Sequence, residues 1–198
     1  MSRLIGNIQA TKLCMYFKNL INDNYELILF DRDGVLNFIP NNNERYITSI
    51  EKLQIRKEVL QVVVSLQLND LKIAVVTNQQ GVSLGLVSHQ TLKLIEESIN
   101  LEIKRLGGKP VLFFTCTHLK ESNCLCRKPK PGLILDAIEY FKVDAKKTFF
   151  IGDQITDRLA AMNANVDFLY IDELKTNHYL YFHNFFLLDD YQLYLHIL

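Results

Sequence analysis

The sequence reads as an α/β protein built on a mainly parallel sheet, and three observations predict this. Five short runs, Leu27–Phe30, Ile73–Val76, Val111–Phe114, Thr148–Ile151 and Phe168–Ile171, each end near polar or glycine residues. These runs are nearly continuous in apolar residues, as parallel strands covered on both faces are. Segments with helical spacing lie between them, and strand alternating with helix is the pattern of an α/β sheet.

The elements follow in order. Leu27–Phe30 leads into Asp31-Arg32-Asp33-Gly34. Residues 56–68 put Val59, Leu60, Val63, Val64 and Leu66 on one broad helical face. Ile73–Val76 runs into Thr77-Asn78-Gln79-Gln80-Gly81, and residues 88–106 carry Leu92, Ile95, Ile99 and Ile103 at helical intervals. The third strand opens into a loop rich in Cys and His. Residues 131–141 and 154–165 read as the last two helices of the core. At the ends, residues 5–21 have the pattern of an amphipathic helix through Ile5, Ile8, Leu13, Phe17 and Leu20. A short strand is expected at Phe185–Leu188, then a helix from Asp190. No internal repeat or Gly/Ser linker divides the chain. The expectation is a single domain over residues 1–198, with 1–24 as an N-terminal extension and a core at about 25–175.

Composition excludes several classes. The chain has 198 residues, 48% hydrophobic and 22% charged, which rules out disorder, collagen and low-complexity tails. Basic and acidic side chains number 22 each, so binding to nucleic acid by bulk electrostatics is disfavoured. No apolar run reaches the roughly 18 residues of a membrane span. Arg3, Lys12 and Lys18 interrupt the apolar N-terminus, where a secretory signal needs an unbroken block. Cys14 stands alone and the other three cysteines cluster, unlike a secreted disulfide scaffold. A cytoplasmic location is expected.

Four strand-end segments carry the chemistry. Side chains two apart on a strand point the same way, so Asp31 and Asp33 are expected to converge beyond the first strand. Open α/β sheets bind ligands at that end. Two such carboxylates resist joint ionisation unless a cation sits between them. Mg²⁺, a hard ion that takes oxygen ligands, is the natural choice. A plain turn built on Asp and Gly is the alternative. Thr77 and Asn78 offer a hydroxyl and an amide to phosphate oxygens, or form a simple turn. Arg127-Lys128-Pro129-Lys130-Pro131-Gly132 brings cations to a helix start, with Pro131 suited to its first turn; Lys130 reads as solvated. Asp153, in Ile151-Gly152-Asp153-Gln154-Ile155-Thr156-Asp157, is expected to supply a metal ligand from another strand. Asp157 either orients a ligand water or cation, or complements the helix dipole.

DRDGVLN at 31–37, TNQ at 77–79, RKPKPG at 127–132 and IGDQITD at 151–157, in this order, resemble the haloacid dehalogenase superfamily of phosphatases. The resemblance spans roughly residues 27–172 and implies a Rossmann-like parallel sheet flanked by helices. It implies Asp31 as the nucleophile that becomes an aspartyl phosphate, and Asp33 as the general acid and then base. Thr77 and Lys128 would stabilise the transferring phosphoryl. Mg²⁺ would be held by Asp31, Asp153 and the backbone carbonyl of Asp33. Phosphoryl transfer needs positioning and charge neutralisation of this kind. Asp33, acting as acid, would need its pKa raised transiently.

Cys116-Thr117-His118 and, five residues on, Cys124-Leu125-Cys126 match a closed, structural Cys₃His zinc site. Chance clustering of core cysteines is the alternative. The loop ends on Arg127 and Lys128, whose positions a bound Zn²⁺ would fix. Within the superfamily, C-x-H…C-x-C-R-K-P resembles the group of D-glycero-D-manno-heptose 1,7-bisphosphate 7-phosphatases and histidinol-phosphate phosphatases, which lack a large cap domain. The resemblance makes Arg127 a substrate-recognising cation and assigns the loop with Arg45 and Tyr46, together with Asn78 and Gln79, to the substrate. The short gap between His118 and Cys124 looks like the histidinol-phosphate members. The Thr77–Val82 and Glu44–Tyr46 segments look like the heptose members, and that reading is preferred. Leu84 and Gln154 stand where the heptose members usually carry basic residues, and Asn41–Asn43 look like an insertion. A catalytically weakened protein that binds a metabolite is a further reading. The expected partner is a small phosphorylated substrate, with no nucleic acid or membrane, and a monomer is expected.

Overall fold

The computed structural model describes residues 25–40, 45–173 and 180–183. Five parallel strands and one antiparallel edge strand form a sheet in the order β3-β2-β1-β4-β5-β6. They are β1 (Leu27–Phe30), β2 (Lys72–Asn78), β3 (Leu112–Cys116), β4 (Thr148–Gly152), β5 (Asp167–Glu173) and β6 (Leu180–His183). The helices are α1 (Lys57–Gln67), α2 (His89–Arg105), α3 (Gly132–Phe141) and α4 (Ile155–Ala164).

Alternation along β1 divides the interior. Ile28 and Phe30 enter the layer formed with Val59, Leu60 and Val63 of α1 and Ile95, Ile99 and Ile103 of α2. Leu27 and Leu29 enter the opposite layer, with Leu133, Ile134 and Ala137 of α3 and Ala160, Ala161 and Ala164 of α4. In β2, Ile73 and Val75 join the first layer, and Ala74 and Val76 the second. Continuous apolar strands thus serve two cores at once.

The five expected strands and four expected core helices all form; the first strand has the expected ends, and the ends of the others differ by at most two residues. β2 and β3 run further than their apolar runs because Thr77 pairs with Thr115 and Asn78 with Cys116. Backbone pairing does not require an apolar side chain. The edge strand β6 was not foreseen. The expected helix over residues 5–21, the strand at Phe185–Leu188 and the helix from Asp190 lie outside the described residues. Among the described residues no helix is long and apolar enough to cross a membrane.

Candidate active site

Every strand-end segment singled out in the sequence lies at the C-terminal edge of the sheet. β1 is flanked by β2 and β4, so its continuation sits where the strand order reverses, the usual ligand crevice of such sheets.

The side-chain parity of β1 carries one residue past its end. Asp31 follows Leu27 and Leu29 to the α3/α4 side, where it meets Lys128. The Lys128 ammonium is 2.7 Å from Asp31 Oδ1 and 2.7 Å from Asp157 Oδ1, and donates to the Val76 carbonyl at 2.9 Å. Lys128 is 3% exposed. Burial alone would lower its pKa; the carboxylates of Asp31 and Asp157 outweigh that and hold it above the usual lysine range. Burial pushes Asp31 well above the ordinary carboxylate range, against the pull of Lys128, and the nearby Asp157, Asp153 and Asp33 add to the rise. Asp153 is raised to about 6, first by burial, with Asp157 adding and a bond from Gln154 opposing.

Ligand oxygens of Asp31, Asp153 and Asp157 all lie within 4.8 Å of one another. Three acidic groups face one ammonium, and Asp153 Oδ1 is buried without a hydrogen-bond partner. That deficit of positive charge and that orphaned oxygen fit a hard divalent ion. Gly34 keeps the approach clear: a Cβ there would collide with the Asp153 carboxylate, and its φ of +87° suits glycine.

The expected convergence of Asp31 and Asp33 side chains is corrected here. The carboxylate of Asp33 turns away to Arg32, Asn37 and Gln79 and is outside the acidic cluster. The turn breaks strand alternation, so the spacing of two no longer sets direction. Burial would raise Asp33, but the Arg32 guanidinium, with bonds from Asn37 and Gln79, brings it below the ordinary carboxylate range. The ionised form is therefore favoured at rest, whereas an acid must hold a proton.

Asn78 and Gln79, expected to meet the substrate, are engaged internally. Asn78 Oδ1 accepts from the Lys128 backbone N–H and its Nδ2 donates to the Lys128 carbonyl, both at 3.1 Å. It holds the Lys128 peptide in place. Gln79 joins Asp33 to Thr77, donating to Thr77 Oγ1 at 2.9 Å. Thr77 is itself buried. Arg45 is exposed. The Tyr46 hydroxyl accepts from Gln80 Nε2 at 2.9 Å, and its ring closes on Gly81, where a Cβ would come within 3.1 Å. Gln80 Oε1 in turn accepts from the Lys120 N–H at 3.1 Å. Gln80 thus ties the loop after β1 to the cysteine loop, a role that carried no sequence signal. Asp157, read from sequence as an ion-orienting or helix-start residue, does a double task. It accepts from the backbone N–H groups of Asp153 and Gln154 at the start of α4 while binding Lys128.

The cysteine loop forms a second cluster. Cys116 Sγ is 3.6 Å from His118 Nδ1 and 3.6 Å from Cys124 Sγ. Cys126 Sγ is 3.2 Å from His118 Nδ1 and 3.4 Å from Cys124 Sγ. A tetrahedral ion with bonds of about 2.3 Å to sulfur and 2.0 Å to nitrogen separates its ligands by roughly 3.5–3.8 Å, so the four side chains fit one. Burial raises Cys126 to about 12, aided by Cys116 and Cys124. For Cys124 the burial effect is overcome by bonds from Cys126 and the Arg127 backbone, giving about 7. Arg127 Nη1 donates to the His118 carbonyl at 3.4 Å. Gly132 lets α3 start against this loop, since a Cβ there would lie 2.5 Å from the Leu125 carbonyl oxygen.

A family model described as polynucleotide kinase 3 phosphatase matches residues 12–182. A D-glycero-beta-D-manno-heptose-1,7-bisphosphate 7-phosphatase of Helicobacter pylori is 32% identical over 166 residues, 80% of this chain and 91% of the relative. The histidine biosynthesis bifunctional protein HisB of Campylobacter jejuni is 29% identical over 150 residues; these are 76% of this chain but 42% of that longer protein. The crystal structure of a D,D-heptose 1,7-bisphosphate phosphatase from B. bronchiseptica, complexed with magnesium and phosphate, superposes with a TM-score of 0.68 at 30% identity. It covers 72% of this chain and 78% of that one.

Proposed function

Because the chain belongs to the polynucleotide kinase 3 phosphatase family, within the haloacid dehalogenase superfamily, we propose that it removes the 7-phosphate of D-glycero-D-manno-heptose 1,7-bisphosphate. The observation that carries this reading is the buried Lys128 ammonium 2.7 Å from Asp31 at the strand-order reversal. The Helicobacter and B. bronchiseptica proteins support the choice of substrate.

In the proposed reaction an Asp31 oxygen attacks phosphorus as the bond to the sugar oxygen breaks. Asp33, which must first take up a proton against the pull of Arg32, gives that proton to the leaving alcohol. Water then attacks the aspartyl phosphate, its proton passes to Asp33, and the bond from phosphorus to Asp31 breaks, releasing inorganic phosphate. Lys128 and the Thr77 hydroxyl neutralise charge growing on the phosphoryl oxygens. Asp31, Asp153 and the Asp33 backbone carbonyl would hold Mg²⁺, with Asp157 close by. When bound, that ion supplies further neutralisation of phosphoryl charge. Cys116, His118, Cys124 and Cys126 would hold Zn²⁺ as a structural ion, since four protein ligands fill a tetrahedral site. Arg127, Arg45 and Tyr46 would recognise the remainder of the substrate. We assign residues 1–198 to one domain, working as a cytoplasmic monomer. The balanced charge of the sequence argues against a nucleic-acid substrate.

The second reading is a histidinol-phosphate phosphatase, favoured by the five-residue gap between His118 and Cys124 and by the likeness to HisB. Phosphate release from both esters, measured with and without Mg²⁺, separates the two. The heptose ester is expected to be turned over faster, and Asp31→Asn to be inactive on either. Preference for histidinol phosphate overturns the substrate assignment, and activity surviving in Asp31→Asn overturns the mechanism. The third reading, a weakened binding protein, rests on the lost charges at Leu84 and Gln154; no turnover of a broad ester panel would favour it.

A further inference from the structure

Arg32, between the two aspartates of the turn after β1, has no part in the phosphoryl chemistry just proposed. Its side chain is 1% exposed, a costly position for a guanidinium unless its charge is matched. The match is the carboxylate of Asp33. Nε reaches Oδ1 at 3.1 Å, and Nη2 reaches Oδ1 and Oδ2 at 2.9 Å each. Nη2 also donates to Gln79 Oε1 at 2.9 Å. The other end of the same amide donates to Asp33 Oδ2 at 2.6 Å and to Thr77 Oγ1 at 2.9 Å.

Guanidinium, carboxylate and amide therefore close a ring, and Asn37 Nδ2 adds a further donor to Asp33 Oδ1 at 3.0 Å. A carboxylate gripped from three side chains is confined to one rotamer. The shared amide also fixes its separation from the Thr77 hydroxyl. Arg32 Nη1 is buried without a hydrogen-bond partner. The guanidinium is thus aimed for the Asp33 contact rather than for saturation of its own donors, a cost to the fold that a purely structural arginine would not incur.

We propose that Arg32, braced by Gln79, is a positioning residue that locks the Asp33 carboxylate at the phosphoryl site for its two proton transfers. This rests on the phosphatase reading above. A small loss of alignment at a proton-transfer group costs turnover far more than binding.

The test is a kinetic cycle on the full chain with Mg²⁺ and heptose bisphosphate, using Arg32→Met, Asp33→Ala and the double variant. Arg32→Met is expected to lower kcat roughly 10- to 100-fold with KM within about threefold. In the Asp33→Ala background the same change is expected to alter kcat less than about threefold, because the group being positioned is gone. Arg32→Lys, which keeps the charge without the forked contact, covers the case in which the Met variant does not fold. It is expected to lose about 10-fold in kcat with a near-native melting temperature. Wild-type kcat in Arg32→Lys overturns the proposal, as do losses that multiply in the double variant. Activity independent of Asp31 overturns the phosphatase reading and the clamp together; multiplying losses with Asp31 dependence intact overturn the clamp alone.

Discussion

At the scale of single residues, Lys128 answers two carboxylates with one ammonium while being almost wholly removed from water. Deleting that charge leaves Asp31 and Asp157 facing each other. Lys128→Met is expected to cost about 3 kcal/mol in urea unfolding at pH 8, and less as the pH is lowered and Asp31, whose pKa burial raises, takes up a proton. Turnover should fall by at least about 100-fold. Asp153 gives a second pH signature. With a folded-state pKa of about 6 against an unfolded value near 3.9, the folded chain binds more protons across that interval. Stability from this residue is therefore lost as pH rises from about 4 to 6 in metal-free protein. The wild type is expected to fall relative to Asp153→Asn over that range, and Mg²⁺ to raise the melting temperature more at pH 7.5 than at pH 5. Thermal melts of chelator-treated and Mg²⁺-loaded protein check both. That Asp31, Lys128 and Asp153 come together at one rim was legible from their strand-end motifs. The bearing of the Asp33 carboxylate and the internal engagement of Asn78 and Gln79 were not, because they depend on partners up to 50 residues distant in sequence.

At the scale of elements, the strands and helices were legible because apolar periodicity is local. The edge strand β6 lacked such a signal, and its pairing with β5 supplies what its own sequence does not state. The cysteine loop was legible from spacing alone, and the contacts of 3.2–3.6 Å among its ligand atoms match that reading. Its mechanical role was less visible. The loop starts where β3 pairs with β2, is buttressed by the start of α3 at Gly132, and ends on Arg127. Cys124→Ser is expected to abolish stoichiometric zinc and lower the melting temperature by about 4–8 °C, corresponding to roughly 2 kcal/mol for a chain of this size. Metal analysis and calorimetry on the same sample test it; full zinc content with an unchanged melt would remove the metal assignment.

At the scale of the whole molecule, the sheet gathers groups from β1, β2 and β4 and from the loop after β3 at a single rim. Leu27 pairs with Lys72 on one side and Thr148 on the other; Phe30 pairs with Val75 and Ile151. Since side chains alternate with a period of two, sliding β2 by one residue would exchange Ala74 and Val75 between the two cores and turn Thr77 to the wrong flank. The guardian of that alignment is the fit of Val75 against Phe30 and of Ala74 against Leu29, not any polar contact. Chemical accuracy in this fold is accordingly underwritten by its oiliest residues: a modest swap of methyl groups deep in either layer would blunt turnover while every charged group kept its identity.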